Sequence, residues 1–219
     1  MKMRIASLLL LTILCLALSA TAFAAPCAPC APCSPWWCND GLNGHYDPYF
    51  IQGDAVSDSF QSNVSINMNG FTFGDWVPAG NTPLTVDWSI GTSPFENQLG
   101  SGIGAISATL LCSSGQPFNG GICGDGLGYD VYSATVNTGT IGLTSGTYWL
   151  TLTGATDNHG GLDGWDINSG PSTAYHSRLG QVPSEWFTIN GSTPEPSSIM
   201  LFGSGILGLA GVLRRKLTR

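Results

Sequence analysis

The chain has little charge and very few basic residues. Only 10% of its 219 residues are charged, and 7 lysines and arginines stand against 14 acidic residues. Between residues 25 and 193 there is no lysine, and the single basic residue, Arg178, faces 13 acidic residues, a net charge of −12. A polyanionic nucleic acid or an anionic bilayer would be repelled by such a domain. The composition therefore excludes a nucleic-acid partner, and its low charge also excludes a coiled coil.

Long apolar runs and helical periodicity are missing from the middle of the chain. Apolar residues are concentrated at the two ends, and no window of 12 or more residues between them carries a helical stripe. This distribution excludes a polytopic membrane protein and leaves one domain of modest size.

Catalytic signatures are also absent. The sequence has no nucleotide-binding loop, HExxH zinc motif or G-x-S-x-G elbow, and the glycine-rich stretches 100–104 and 124–128 fail the full phosphate-binding patterns. His45, His159 and His176 lie among turn residues without partners at metal-ligand spacing. No spacing marks the two carboxylates that glycoside hydrolysis requires. We therefore expect that the protein is not an enzyme.

The N-terminus has the pattern of a secretory signal peptide over residues 1–24. A basic start precedes an apolar run at 5–18, and Ala22 and Ala24 provide the small-x-small pattern that signal peptidase cuts after. Cleavage after Ala24 would remove Cys15 and leave six cysteines. The alternative is an uncleaved N-terminal anchor, although the apolar run is short for a membrane span.

A cysteine- and proline-rich segment, residues 25–53, follows the signal peptide. Ala-Pro-Cys occurs three times in succession, and a proline at every third position imposes an extended path. The C-x2-C-x2-C-x4-C spacing resembles metal ligation, but an oxidising compartment favours disulfides within the chain or cross-links to other molecules. These three alternatives stay open for Cys27, Cys30, Cys33 and Cys38.

Two further cysteines bracket a short loop. Cys112 and Cys123 enclose a turn-rich stretch containing Gln-Pro-Phe-Asn-Gly-Gly. Closing a loop of that size with a disulfide would stabilise the fold by about 2 to 3 kcal/mol. We predict that these two residues are bonded to each other.

The segment 54–190 has the alternation of a β domain. In residues 84–90, four apolar residues occupy one face and Thr, Asp and Ser the other, and 64–68 and 148–152 repeat the pattern. Turn residues separate roughly nine such stretches. The prediction is an all-β fold, an antiparallel β-sandwich of jelly-roll-like type, with a closed barrel as the alternative.

One loop carries a candidate ligand site. Short acidic and amide side chains in a glycine-rich stretch supply the oxygen ligands that Ca2+ prefers, and a neighbouring tryptophan is able to stack on a sugar ring. The candidate ligand-binding residues are Asp157, Asp163, Trp165, Asp166 and Asn168. Asp157, Asp163 and Asp166 are the candidate Ca2+ ligands, and Ca2+ is the only cofactor considered. Alternatively, the polar side chains satisfy turn backbones while Trp165 packs in the core.

The C-terminus consists of three unlike elements in order. A linker at 191–198 contains a Pro-Glu-Pro motif, an apolar run at 199–213 follows, and a basic tail at 214–219 ends the chain. As a helix the apolar run would rise only about 22 Å, short of the roughly 30 Å hydrocarbon core, so it predicts one short and marginal transmembrane helix. Positive charge after the span predicts a cytoplasmic tail and an outward-facing domain. The residues that define the motif are Pro194, Glu195, Pro196, Arg214, Arg215 and Lys216.

This tail resembles the PEP-CTERM sorting signal of exported bacterial proteins. The same tail is also labelled an ice-binding protein C-terminal domain, but the chain has no regular Thr-x-Thr array to support ice binding. Segments 55–60, 146–152 and 165–172 are similar to the ectodomain often found in front of this tail. The resemblance implies export across the inner membrane of a Gram-negative bacterium and transient anchoring there. It also implies cleavage near Pro-Glu-Pro by an exosortase and transfer to the cell surface or medium.

The expected function follows from the predicted export and cellular location. The interpretation we favour is a structural or adhesive protein of the cell surface or extracellular matrix, in the exopolysaccharide of a biofilm. Its processing partners are signal peptidase and exosortase, and exopolysaccharide is the expected neighbour. The alternative is a Ca2+-assisted, lectin-like carbohydrate-binding module, and a surface hydrolase is a weaker third.

Overall fold

A computed structural model of the protein describes residues 37–39, 41–44 and 47–193. Several predicted features lie outside these residues: the signal peptide with Ala22 and Ala24, the cysteines Cys27, Cys30 and Cys33, the Pro-Glu-Pro motif, the apolar run 199–213 and the basic tail. Among the residues described, no helix is both long and apolar enough to cross a membrane.

The described chain is almost entirely β-structure. Its one helical element is a short 3-10 turn at Cys123–Gly126. The strands, numbered along the chain, are β1 (Trp37–Cys38), β2 (Tyr49–Phe50), β3 (Ala55–Ser62), β4 (Ile66–Pro78), β5 (Pro83–Gly91), β6 (Gly100–Cys112), β7 (Pro117–Phe118), β8 (Gly121–Ile122), β9 (Tyr129–Leu143), β10 (Gly146–Asp157), β11 (Gly164–Trp165), β12 (Ala174–His176), β13 (Gly180–Val182) and β14 (Phe187–Ser192).

Twelve of these strands form one antiparallel sheet. Its order is β1-β14-β4-β9-β6-β5-β10-β3-β12-β13, and β11 joins it by pairing with both β4 and β2. β7 and β8 form a separate hairpin. The cysteine- and proline-rich segment contributes to the sheet, because β1 pairs with β14 and β2 pairs with β11.

The long strand β6 connects two halves of the sheet. Its first part, 100–105, pairs with β5, and its second part, from Ile106 to Cys112, pairs with β9. The two halves then face each other, as contacts between their aromatic rings show: Phe71 of β4 lies 6.4 Å from Trp88 of β5, and Phe60 of β3 lies 6.2 Å from Phe187 of β14.

This architecture confirms the predicted all-β, antiparallel, sandwich-like fold. It differs from the jelly-roll-like prediction in that the two layers are halves of one curled sheet, continuous through β6, instead of two separate sheets. The predicted strand at 84–90 corresponds to β5, with Val86 and Ile90 fully buried. Leu84, the second residue of β5, is however 47% exposed.

A buried aromatic cluster fills the space between the halves. Phe187 is fully buried, and its ring lies 4.7 Å from Trp37, 5.5 Å from Trp165 and 6.2 Å from Phe60. These three partners come from β1, β11 and β3, so this one ring connects the sheet half that contains β14 with the opposite half and with the N-terminal segment.

Disulfide bonds stabilise the half of the sheet that contains β9, β4, β14 and β1. Cys112 at the end of β6 is bonded to Cys123, the pair that the sequence predicts, with 6.0 Å between their Cα atoms. Both sulfurs belong to a small buried cluster with Trp76 and Val131. Cys38 in β1 is also disulfide-bonded, which favours the disulfide interpretation for that cysteine.

Truncating Phe187 should destabilise the domain more than truncating an exposed apolar residue. Phe187→Ala removes ring contacts to three elements and is expected to lower the free energy of unfolding by about 3 to 5 kcal/mol. Leu84→Ala, at an exposed position of β5, is the control and should change it by less than about 0.5 kcal/mol. Denaturant unfolding followed by tryptophan fluorescence measures both, and equal effects would contradict the assigned core.

Candidate functional site

The loop between β10 and β11 presents the first candidate residue, Asp157, at the end of β10. Its Oδ1 accepts the backbone N–H groups of His159 (2.7 Å) and Gly161 (3.0 Å), and its Oδ2 accepts the Asn81 side-chain amide (2.8 Å). Burial disfavours the charged form, but these hydrogen bonds outweigh it and lower the pKa of Asp157. Asp157 is therefore an ionised, hydrogen-bonded carboxylate.

Glycine is required where the loop passes this carboxylate. A Cβ at Gly161 would lie 2.5 Å from Asp157 Oδ2 and 2.5 Å from Pro78 Cγ. Any side chain there would push the loop away and break the hydrogen bond to Oδ1.

Asp163 and Asp75 form a buried acidic pair next to Asp157. Both are fully buried, and none of their four carboxylate oxygens accepts a hydrogen bond within the described residues. Asp75 lies on the inward face of β4, which also carries Phe71 and Phe73. On the neighbouring strand β11, Trp165 lies opposite Asp75, and Asp163 precedes Trp165 by two residues. We call these two side chains the Asp75–Asp163 pair.

The electrostatics of the pair follow from its position. Burial, then the charge of Asp157 and a hydrogen bond to the Asp157 carboxylate, raise the pKa of Asp163 to about 7. Burial, and then the charges of Asp163 and Asp157, raise the pKa of Asp75 well above its usual value. The chain offers no basic neighbour, because the only lysine or arginine between residues 25 and 193 is Arg178, which pairs with Asp54 at the surface.

Asp166 lies apart from this pair. Its Oδ1 accepts hydrogen bonds from the Trp76 indole (2.8 Å) and the Gly44 backbone (3.0 Å), and its Oδ2 accepts one from the Asn43 backbone (3.2 Å). The carboxylate therefore fastens the N-terminal segment to β4. The structure brings Asp157 and Asp163 together but not Asp166, and in the part of the chain it describes no group of three or more His, Cys, Asp or Glu side chains is arranged to hold a metal ion.

Asp58 and Glu185 form a second acidic site in the interior. Asp58 lies on the inward face of β3 between Val56 and Phe60, where its Oδ2 accepts the Glu185 N–H (2.7 Å) and the Ser172 hydroxyl (2.8 Å). Burial raises the pKa of Asp58 to about 6 in spite of these hydrogen bonds.

Glu185 is the less well satisfied member. It is fully buried, and neither carboxylate oxygen has a hydrogen-bond partner among the described residues. Burial, and then the charges of Asp58 and Asp166, raise its pKa well above the usual value. These surroundings therefore favour the neutral carboxyl of Glu185 over its carboxylate.

Asn168 supports this second site. Its side-chain amide donates to the backbone oxygen of Asn39, and its Oδ1 accepts the Gly170 N–H at 2.9 Å. Asn39 in turn donates to the Glu185 backbone oxygen at 2.7 Å. Asn168 therefore connects two chain segments, and its hydrogen bonds are structural.

Trp165 packs in the core. Its ring is fully buried, makes edge-to-face contacts with Phe73 and Phe187, and donates its indole N–H to the Trp186 backbone oxygen at 2.8 Å. A ring in this position has no free face for a sugar.

Sequence reasoning missed Asp58, Asp75 and Glu185. A signal for two of them existed, because an acidic residue interrupts the apolar alternation of Val56-x-Asp58-x-Phe60 and of Phe71-x-Phe73-x-Asp75. Glu185 follows a short connecting segment without alternation, so no comparable signal marks it.

The described chain ends where a recognisable motif begins. Residues 192–216 match the PEP-CTERM protein-sorting motif. The chain is a PEP-CTERM domain-containing protein. The match starts at Ser192, the last residue of β14, and covers the Pro-Glu-Pro motif, the apolar run and Arg214, Arg215 and Lys216. No curated protein matches the chain.

The motif indicates how this PEP-CTERM protein is exported and processed. It is exported across the inner membrane, it exists first as a membrane-anchored precursor, and it is processed by exosortase. The matched range therefore begins at the last residue of the last strand of the folded domain.

The second acidic site predicts an unusual pH dependence. The folded-state pKa values of Asp58 and Glu185 lie above their unfolded values, so the stability that their neutral forms contribute is complete below about pH 4 and is lost as the pH rises, for Asp58 through about 6. Glu185→Gln removes one of these ionisations. At pH 8 the variant should be more stable than the wild type by about 1 to 3 kcal/mol, and near pH 4 the two should be equal.

Urea unfolding at several pH values measures this difference. Asp47→Asn, at an exposed carboxylate, is the control and should follow the wild-type curve. A Glu185→Gln variant that is less stable than the wild type at pH 8 would show that the ionised form of Glu185 is stabilised in the fold.

Proposed function

We propose that this protein is a structural or adhesive component of the cell surface or extracellular polysaccharide of a Gram-negative bacterium, delivered there by exosortase cleavage. The observation that carries the proposal is the position of the sorting motif, which starts at the last residue of the final strand. Cleavage near Pro-Glu-Pro would leave the whole sheet intact and free of the apolar run.

The properties of the domain support a place outside the cell. The disulfides of Cys112–Cys123 and Cys38 require an oxidising compartment. The domain carries a net charge of −12, with one arginine and 13 acidic residues between residues 25 and 193, which suits a soluble component of a hydrated polysaccharide. Three of its polar interior residues, Asn39, Asn168 and Asp58, form a hydrogen-bonded network that connects separate segments of the chain.

The mass of the exported protein tests the sorting step. In cells with exosortase, the protein from the surface or medium should end near Pro194 to Pro196 and carry six oxidised cysteines. In cells without exosortase, it should remain in the membrane fraction and retain Arg219. Intact mass spectrometry under non-reducing conditions measures both.

Glu195→Ala in the motif is the informative variant for this experiment, with Glu96→Ala in the loop after β5 as its control. The motif variant should accumulate as uncleaved precursor, whereas the control should be processed normally. Retention of Arg219 in wild-type protein from exosortase-positive cells would make the chain an ordinary single-pass protein.

A carbohydrate-binding function is the second candidate, and an aromatic pair on the outer face of the sheet favours it. Trp149 of β10 and Tyr175 of β12 are both partly exposed, and their ring centroids lie 5.7 Å apart. Ser59 and Gly91 oppose Trp149 on the neighbouring strands, so small residues flank the tryptophan ring. Aromatic faces next to hydroxyl groups are the usual means of binding a pyranose.

A glycan array tests this candidate. If the pair binds sugar, the wild-type protein should retain specific glycans, and Trp149→Ala should lose at least about 90% of the signal, equivalent to about 1.4 kcal/mol. Leu127→Ala, at a position 60% exposed on the loop before β9, is the matched control and should bind normally. If the wild-type protein binds none of the glycans on the array, lectin-like binding to those glycans is excluded. The structural role would then be the remaining proposal.

A further inference from the structure

We propose that the Asp75–Asp163 pair is a binding site for a divalent cation, and that its chemistry fits Ca2+. The inference is independent of the proposed function, since it concerns two interior side chains and no surface. It also differs from the site that the sequence predicts, because Asp75 takes the place of Asp166.

Neither carboxylate of the pair receives a hydrogen bond from a donor group of the protein. Both side chains are fully excluded from solvent, and all four carboxylate oxygens lack hydrogen-bond donors within the described residues. The side-chain hydrogen bond of Asp163 is with the carboxyl of Asp157, which is itself an acid and supplies no positive charge. Carboxylates removed from water without a donor or a cation are strongly unfavourable. The only arginine of the domain, Arg178, is 70% exposed and is already paired with Asp54. No lysine or arginine between residues 25 and 193 is therefore left to pair with these two carboxylates.

The second step is the neighbour of the pair. Asp157 keeps its negative charge because Asn81, His159 and Gly161 donate hydrogen bonds to it. One proton shared between Asp75 and Asp163 would leave this group of three carboxyls negative. A divalent cation neutralises the pair completely and also interacts favourably with Asp157.

The third step is a comparison with the other interior acids. The oxygens of Asp58 accept hydrogen bonds from Ser59, Ser172 and the Glu185 backbone, and those of Asp166 accept them from Trp76, Gly44 and Asn43. Glu185 is unpartnered but single, so one proton neutralises it. In the described part of the chain, Asp75 and Asp163 are neighbouring interior acids that receive no hydrogen bond from a backbone N–H, amide, hydroxyl or indole group, and the register of β4 with β11 places them side by side.

The ligand set favours Ca2+ over transition metals. The site offers only carboxylate oxygens, without histidine or cysteine, and hard oxygen ligands are those that Ca2+ and Mg2+ prefer. Since three carboxylates are not arranged around one point, the two carboxylates would need neutral oxygens from backbone carbonyls and water to complete the shell. Ca2+ accepts such mixed, irregular shells of six to eight oxygens, whereas Mg2+ requires a near-ideal octahedron.

Calcium titration of the exported, disulfide-bonded protein tests the proposal. After chelation with EDTA and buffer exchange at pH 7.5, calorimetry should detect one Ca2+ per chain, and Ca2+ should raise the melting temperature. Asp75→Asn and Asp163→Asn keep the side-chain size but remove charge, so each should weaken Ca2+ binding by about tenfold or more. Glu185→Gln and Asp47→Asn are matched controls and should keep wild-type affinity.

Three results would overturn the site. Wild-type protein that binds no Ca2+ at millimolar concentration would do so, as would asparagine variants with unchanged affinity. A third is a melting temperature that Asp75→Asn raises at pH 8 but not at pH 5, with no response of the wild type to Ca2+, since the pair would then hold only a proton.

A measurement on the wild type alone covers the case in which the variants do not fold. Tb3+ bound at the pair would lie near Trp165, the cross-strand partner of Asp75. Excitation of tryptophan should therefore give Tb3+ emission that Ca2+ displaces. The absence of displaceable emission would also overturn the site.

Discussion

The fold depends on the closure of one sheet onto itself. The long strands carry the apolar residues of the main core on one face, so a flat sheet would leave Phe60, Phe71 and Phe187 exposed to water. Because β6 pairs with β5 along its first part and with β9 along its second, the sheet turns through this strand and buries both apolar faces against each other. Every other feature of the interior, including its acidic groups, results from this closure.

Closure places carboxylates where water cannot reach them. Asp58 and Asp75 occupy inward positions of β3 and β4, in line with apolar side chains, and therefore enter the interior with them. The domain has almost no basic side chains with which to pair them. It meets this cost in different ways: Asp58 and Asp166 receive donors from the backbone and from serine or tryptophan, burial raises the pKa of Glu185 and so favours its neutral form, and the Asp75–Asp163 pair is the site we propose for a cation. Buried acids without such compensation would oppose folding.

The class of fold was predictable from the sequence because alternation and turn residues are local properties. Residues 84–90 and 148–152 show the pattern clearly, and Cys112 and Cys123 are close enough in sequence to indicate their bond. The length of β6 and β9 was not predictable, since glycines within them interrupt the alternation although the strands continue. Register across the sheet is a long-range property, so the meeting of Asp75 with Asp163, 88 positions apart in the numbering, has no local signal. For the same reason the sequence left open whether Trp165 stacks on a ligand or packs in the core, and the structure buries it in the core.

The two ends of the described chain lie on neighbouring strands. β1 pairs antiparallel with β14, so that Trp37 lies opposite Ile189 and Cys38 opposite Thr188. In this register Trp37, which follows the Ala-Pro-Cys repeat, is nearer than Cys38 to Ser192, where the sorting motif begins. The cysteine-rich segment and the sorting motif are therefore attached to the same end of adjacent strands. Since Phe187 of β14 also packs against Trp37, the attachment point of the sorting motif is tied to the aromatic core. An anchor or a cross-link at either end of the chain would thus transmit force to the most buried part of the sheet instead of to an isolated edge.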